Sequence, residues 1–161
     1  MPQKRKKKLN LFNRDEKPVM VRFRFLEDIA IADAAFEAFG KTLEELFESC
    51  ALATFEVMVE TKSVEPVKKK EIRLKSSDLE SLLFDFLSEI IYLKDAMKIF
   101  YSKFDLCILK NKEYELSGTL WGDNIDYSRQ KIRQDVKAVT YHLLEIKKTG
   151  DSWRAQVILD T

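Results

Sequence analysis

Four glycines, three prolines, two cysteines and one histidine in 161 residues rule out several kinds of chemistry at once. A lone His142 cannot build a histidine-rich metal site, and no Cys/His pair stands at zinc spacing. The scattered glycines form no phosphate-cradling loop, and no nucleophile elbow appears. Two cysteines make no disulfide framework. Cys50 and Cys107 fall in apolar-periodic segments and read as reduced core residues of a cytosolic protein, with a disulfide between them as the lesser alternative. No unbroken apolar run approaches the roughly 18 residues of a membrane helix. Lys and Arg number 28 against 27 Asp and Glu, a net charge of +1, so no global electrostatic case for nucleic acid exists.

What is there is unevenly placed. Residues 1–17 carry seven Lys/Arg against Asp15 and Glu16, or +5, which leaves −4 for the rest. No apolar stretch follows these charges, so the leader is not a secretory signal. It reads as a flexible basic tail, with tethering to RNA or an RNA-bound partner as the sharper alternative. Residues 18–161 then form a single domain, and 45% apolar content with eleven Phe suffices for its core. Abundant Lys, Glu and Ile with few Gly and Pro hint at a thermophile.

Residues Met20–Leu26 alternate as a half-buried strand, and Asp33–Phe39 reads as a second strand ended by Gly40. Thr42-Leu43-Glu44-Glu45 is a capping box opening a helix whose apolar face runs Leu43, Leu46, Phe47, Cys50, Ala51, Phe55, Met58. Val67–Leu74 reads as a strand in which Lys68, Lys69 and Lys70 guard an exposed edge, with an RNA patch as the lesser alternative. Ser77-x-x-Glu80 is a second capping box, before the stripe Leu79, Leu82, Leu83, Phe86, Leu87, Ile90, Ile91. Strands over 99–110 and 114–121 follow, then a polar loop over 122–134. The last 26 residues read as one long hairpin: Val136–Ile146, a turn at Thr149-Gly150-Asp151, then Trp153 to the final residue. The pattern predicts an α+β fold, two amphipathic helices packed on a mostly antiparallel sheet.

Asp160 and the α-carboxyl of Thr161 place two carboxylates side by side, a hard-oxygen corner that needs one more acid to hold a divalent cation. Composition alone gives no reason to pair Asp33 with Asp160. His142 and Lys137 are by default ordinary strand residues.

At this point the sequence resembles the archease family. The resemblance rests on Ala32-Asp33, Gly40, Thr42-Leu43-Glu44-Glu45-Leu46-Phe47-Glu48, the segment Asp78–Glu89, Val136-Lys137-Ala138-Val139-Thr140-Tyr141-His142, and the Asp-plus-one ending. It spans residues 20–161. It implies a fold of the SHS2-like archease type and a non-enzymatic, cytoplasmic activator of an RtcB-type RNA ligase in tRNA splicing and RNA repair. Such an activator promotes guanylylation and multiple turnover of the ligase, and meets RNA only through it. No membrane and no small-molecule substrate of its own are implied. By position, the resemblance places the metal ligands on Asp33, Asp160 and Thr161, with Ca²⁺ (or Mg²⁺ or Mn²⁺) as the cation. Oxygen-only ligation suits such ions and argues against zinc or copper. Lys137 and His142 become contacts to the partner or to a phosphate. Two departures stand out: Ala30-Ile31 where the family has His-Thr, and Arg129-Gln130 where a basic-His pair is expected. Rival readings are a small metal-dependent phosphohydrolase and a generic chaperone-like protein-binding module.

Overall fold

The computed structural model describes residues 22–27 and 34–161. The leader over 1–17, the strand start at Met20 and Val21, and Ala30, Ile31 and Asp33 lie outside the described residues. Among the described residues, eight strands and two helices run in the order β1 (Phe23–Leu26), β2 (Ala34–Gly40), α1 (Leu43–Met58), β3 (Lys68–Ser76), α2 (Leu79–Met97), β4 (Ile99–Lys110), β5 (Tyr114–Asn124), β6 (Ala138–Val139), β7 (Glu145–Thr149) and β8 (Ser152–Asp160), with a short 3-10 turn at Thr61–Ser63. Every strand pairing is antiparallel, and the strands divide between two sheets. One has the order β1-β2-β8-β6, with β7 also on β8; the other is β3-β5-β4.

Thr42 caps α1 as its spacing predicts, accepting a hydrogen bond from the Glu45 amide at 3.1 Å. The Glu45 carboxylate reaches back past the cap to the Lys41 amide at 2.9 Å. The cap of α2 is Asp78 rather than Ser77, accepting from the Ser81 amide at 2.8 Å. A carboxylate is the stronger acceptor for orphan amides carrying the positive end of the helix dipole. Glu80 is thereby released from the expected box and accepts instead from the Ile146 amide at 3.4 Å.

The predicted apolar stripes are core: Leu46, Phe47, Cys50, Leu82, Phe86, Leu87 and Ile90 are all inaccessible to solvent. Each such leucine, isoleucine or phenylalanine contributes roughly 1.5–3 kcal/mol by leaving water. Phe55 anchors an aromatic group with Phe100, Tyr101 and Phe104.

α1 is the seam between the two sheets. Toward the first, Ser49 Oγ donates to the Phe39 carbonyl of β2 at 2.9 Å. Toward the second, it lies along the free edge of β4. There Glu48 accepts from the Leu106 amide (3.3 Å) and Glu44 from the Ile108 amide (3.0 Å). Carboxylates one helical turn apart thus meet amides two residues apart on the strand and close an edge that would otherwise be open.

Three expectations need correction. The strand over 136–146 is broken: β6 pairs with the end of β8 (Val139↔Leu159) and β7 with its start (Glu145↔Gln156). Thr140 still bonds the Ile158 carbonyl through its amide (3.1 Å), and residues 141–144 bulge out beyond it, turning on the Leu144 amide to Tyr141 carbonyl bond and on Leu143 in the left-handed region (φ 58°). His142 therefore sits in an exposed turn, not a strand. The Gly150-Asp151 turn does hold, Gly150 taking positive φ (61°) between Thr149 and Ser152. Cys107 is exposed, and only Cys50 is buried; the alternation of β4 carries Cys107 to the outer face. The strand expected to end at Trp121 continues to Asn124.

Candidate functional site

Strand β8 carries the chain's end to the corner where β2, β6 and β8 meet. Along β2 and β8 the rungs are Ala34↔Leu159, Phe36↔Val157 and Ala38↔Ala155 on the core side, with Ala35↔Ile158, Glu37↔Gln156 and Phe39↔Arg154 on the other. Asp160 continues the second set and is exposed. Its carbonyl accepts from the Lys137 amide at 2.8 Å, and it stands opposite Ala138. Among the described residues its carboxylate forms no salt bridge with lysine or arginine. Thr161 follows, half-buried.

Lys137 is exposed beside it. The structure therefore brings together Asp160, Thr161 and Lys137. His142 joins them through no hydrogen bond or ion pair among the described residues, and the turn bearing it is flanked by exposed Tyr141 and Leu143. Tyr141 stacks on Phe84 of α2 (3.8 Å between ring centres), which fixes the base of that turn. Asp33 is not described; its covalent neighbour Ala34 is, on the rung opposite Leu159. Among the described residues alone, no three His, Cys, Asp or Glu gather in a metal-ligating cluster.

Lys94 holds the strand that presents Lys137, and sequence reasoning missed it. This α2 lysine is only 3% exposed, and its ammonium donates to Asp135 Oδ1 (2.6 Å), Asp95 Oδ1 (2.7 Å) and the Val136 carbonyl (3.1 Å). With Val136 fully buried, these bonds pin the chain just before Lys137. The signal was a lysine one turn beyond Ile90 and Ile91 on the apolar stripe, a position where only a paired charge can be buried.

On the same face of this sheet, further along β2 and β8, Glu37 lies between two guanidiniums, accepting from Arg24 (2.7 Å) and Arg154 (2.6 Å), and Arg154 also reaches Glu145 at 3.1 Å. Burial pushes the Glu37 carboxyl up, but the two arginines together outweigh it and hold the group below the usual carboxylate range. Arg129 and Gln130 serve the loop itself. Arg129 pairs with Asp126 (2.8 Å) and Asp123 (3.3 Å), and buried Gln130 bridges the Asp126 amide and the Asn124 carbonyl. Hydrogen bonds from Ser128 and Arg129 hold the Asp126 carboxyl well below its ordinary value.

No helix among the described residues is long and apolar enough to cross a membrane. The Archease protein family (MTH1598/TM1083) matches residues 23–161. The archease of Methanosarcina barkeri is 44% identical over 131 residues, covering 80% of this chain and 90% of its own. That of Methanothermobacter thermautotrophicus is 41% identical over 142 residues, covering 88% and 99%. The solution structure of Methanobacterium thermoautotrophicum protein 1598 superposes with a TM-score of 0.77 at 39% identity, covering 88% of this chain and all of that one. A Thermotoga maritima crystal structure, described as an archease and possible chaperone, shares the fold at a TM-score of 0.58 and 23% identity, covering 92% and 99%. With an α+β architecture of two helices on antiparallel sheets and relatives matched across nearly their whole length, the chain belongs to the archease family.

Proposed function

We propose that this protein is a non-enzymatic cofactor of an RtcB-type RNA ligase, promoting guanylylation of the ligase and its repeated turnover in tRNA splicing and RNA repair. It works in the cytoplasm and meets RNA through the ligase. Membership of the archease family over residues 23–161 is the observation that carries this reading.

Asp33, Asp160 and an oxygen of Thr161 are the proposed ligands of a divalent cation, Ca²⁺ with Mg²⁺ or Mn²⁺ as alternatives. The rung Ala34↔Leu159 supports their pairing. Asp33 is bonded to Ala34 and Asp160 to Leu159. Chain geometry alone therefore limits the separation of their Cα atoms to roughly 13 Å, two Cα–Cα steps plus one rung. The donor set fits a hard cation, because carboxylate and main-chain oxygens suit Ca²⁺ and Mg²⁺. The cation would supply charge neutralisation at a triphosphate. The chain's own part is to hold the two carboxylates at a fixed corner. Lys94 fixes the neighbouring strand, and Lys137 presents an ammonium to an anionic group of the partner.

The test is ligase turnover under excess substrate, with and without this protein. Stimulation by the natural chain and its loss in Asp33→Ala/Asp160→Ala, with the melting transition retained, is the expected result. A fully stimulating double variant would remove the metal from the account. A protein that leaves the ligase unaffected but rescues an unrelated aggregating client would be the chaperone-like module instead. Turnover of GTP or cyclic-phosphate RNA without ligase would make it the phosphohydrolase.

A further inference from the structure

The outer face of the β3-β5-β4 sheet carries an organised basic and aromatic group that the ligase reading does not use. Among the described residues no helix packs on this face. Its edge-strand residues Lys69, Glu71, Arg73 and Lys75 on β3, and Lys103, Asp105, Cys107 and Leu109 on β4, are all exposed. The sequence run Lys68-Lys69-Lys70 reads as an edge guard, and β3 is indeed an edge strand. Alternation, however, puts only Lys69 on the outer face, and the register gives it partners the sequence does not reveal.

Lys69 stands opposite Trp121, and Trp121 opposite Lys103, in one row across three strands. A β-bulge makes that row. The register of β4 slips by one at Ser102, so Tyr101 faces Gly122 while Lys103, and not Ser102, faces Trp121. Ser102 Oγ is tied to the Val64 carbonyl at 3.0 Å, which holds the bulge in place. Gly122 is required there, because a Cβ would lie 1.8 Å from the Phe100 carbonyl oxygen. The Lys103 ammonium lies 4.7 Å from the Trp121 ring centre. The two lysines flank the half-buried indole with their Cα atoms about 10 Å apart. Among the described residues neither has a carboxylate within ion-pair distance, whereas Lys75 pairs with Glu115. Beyond Trp121 along β5, a shallow depression of about 360 Å³ is lined by Glu71, Arg73, Ser117 and Thr119.

We infer that this face binds single-stranded nucleic acid, a base stacking on Trp121 while backbone phosphates pair with Lys69 and Lys103. Two lysines without carboxylate partners, one resting over the indole and able to swing from it onto a phosphate as a base takes its place, match a chain that alternates anionic phosphates with planar bases. An acidic polypeptide would use the lysines and leave the indole without a role. The short polar side chains of Ser117 and Thr119 offer donors and acceptors to the edge of a stacked base. This surface is distinct from the Asp160 corner and does not rest on the ligase reading.

Fluorescence anisotropy of labelled oligo-U and oligo-dT with the full chain, at several salt concentrations, tests it; the two oligomers separate RNA from DNA preference. Trp121→Leu should weaken binding on the order of tenfold or more. Lys69→Gln/Lys103→Gln should flatten the slope of log affinity against log salt by about 1.4, two phosphate contacts. The basic leader is present in every variant, so its contribution cancels. Unchanged melting temperatures confirm that these surface changes leave the fold intact. Equal binding by all variants, or no binding at low salt, overturns the proposal. So does polyglutamate binding that Lys69→Gln/Lys103→Gln abolishes and Trp121→Leu leaves untouched, which would mark a surface for acidic protein.

Discussion

Glu48 makes the stability of this fold depend on pH in an unusual direction. Its carboxylate sits in the seam between α1 and β4, 21% exposed, accepting from the Leu106 amide at 3.3 Å and lying 3.7 Å from the Arg22 guanidinium. Burial pushes its pKa up to about 7 from 4.5, and the Leu106 amide and Arg22 offset only part of that. The proton is therefore bound more tightly in the folded chain than in the unfolded one. Below pH 4.5 both states hold it and the group is silent. Between 4.5 and 7 the unfolded chain has released it while the native chain has not, so stability falls as pH rises. Above 7 the full cost is present, about 3 kcal/mol. Glu48→Gln keeps an amide oxygen for Leu106 and removes the buried charge. It also removes the partner of Arg22, but that attraction exists only while Glu48 is ionised and is already counted in its pKa of about 7. Urea denaturation of both proteins at the two pH values isolates the effect, since every other titrating group is shared. The variant should gain about 3 kcal/mol relative to the natural chain on going from pH 5 to pH 8. A difference between the two proteins that does not change with pH would refute the reasoning.

Lys94→Met keeps the aliphatic stem but leaves the Val136 carbonyl without its donor, at a cost of about 1–3 kcal/mol. It should also speed hydrogen exchange at the Lys137 amide, and unchanged exchange there would show that Lys94 does not hold this strand. Glu37→Ala removes the carboxylate shared by Arg24 and Arg154, but Arg24 is largely exposed and Arg154 keeps Glu145, so it should cost about 1–2 kcal/mol at pH 7. The arginines depress the Glu37 pKa, so its contribution is present above the unfolded value and is lost as pH falls through the folded one. The deficit should therefore shrink toward pH 3, and denaturation showing an equal deficit at both pH values would refute this account.

The helices were legible because their determinants are local. Thr42 and Glu45 carry the whole N-terminal signal of α1, and the apolar residues recur on one face. Where two local acceptors competed, as Ser77 and Asp78 did, spacing alone could not choose; the carboxylate won on acceptor strength. The terminal hairpin shows the opposite case. Residues 136–149 alternate as strand residues do, yet 141–144 leave the sheet while Thr140 stays bonded to the Ile158 carbonyl of β8. A single left-handed leucine and one local carbonyl set that excursion. Neither leaves a composition signal. Cys107 was misread for a related reason, since a strand in a two-faced sheet carries apolar-looking residues on its solvent side too.

Register decides what residue identity could not, on both sides of the molecule. Asp33 and Asp160 are 127 positions apart in the sequence, and nothing in either segment relates them; one antiparallel rung, Ala34↔Leu159, bounds their separation. Lys69, Lys103 and Trp121 likewise come from three segments, and they align only because one residue, Ser102, is left out of the ladder. Shift β4 by that one residue and Ser102 would face Trp121, with both the lysine row and the ring contact gone. Deleting Ser102 therefore perturbs the putting-together of the row rather than its members. If the row is a recognition surface, the bulge is part of the site as much as the side chains are, and Gly122, which the bulge packs against, belongs to it for the same reason.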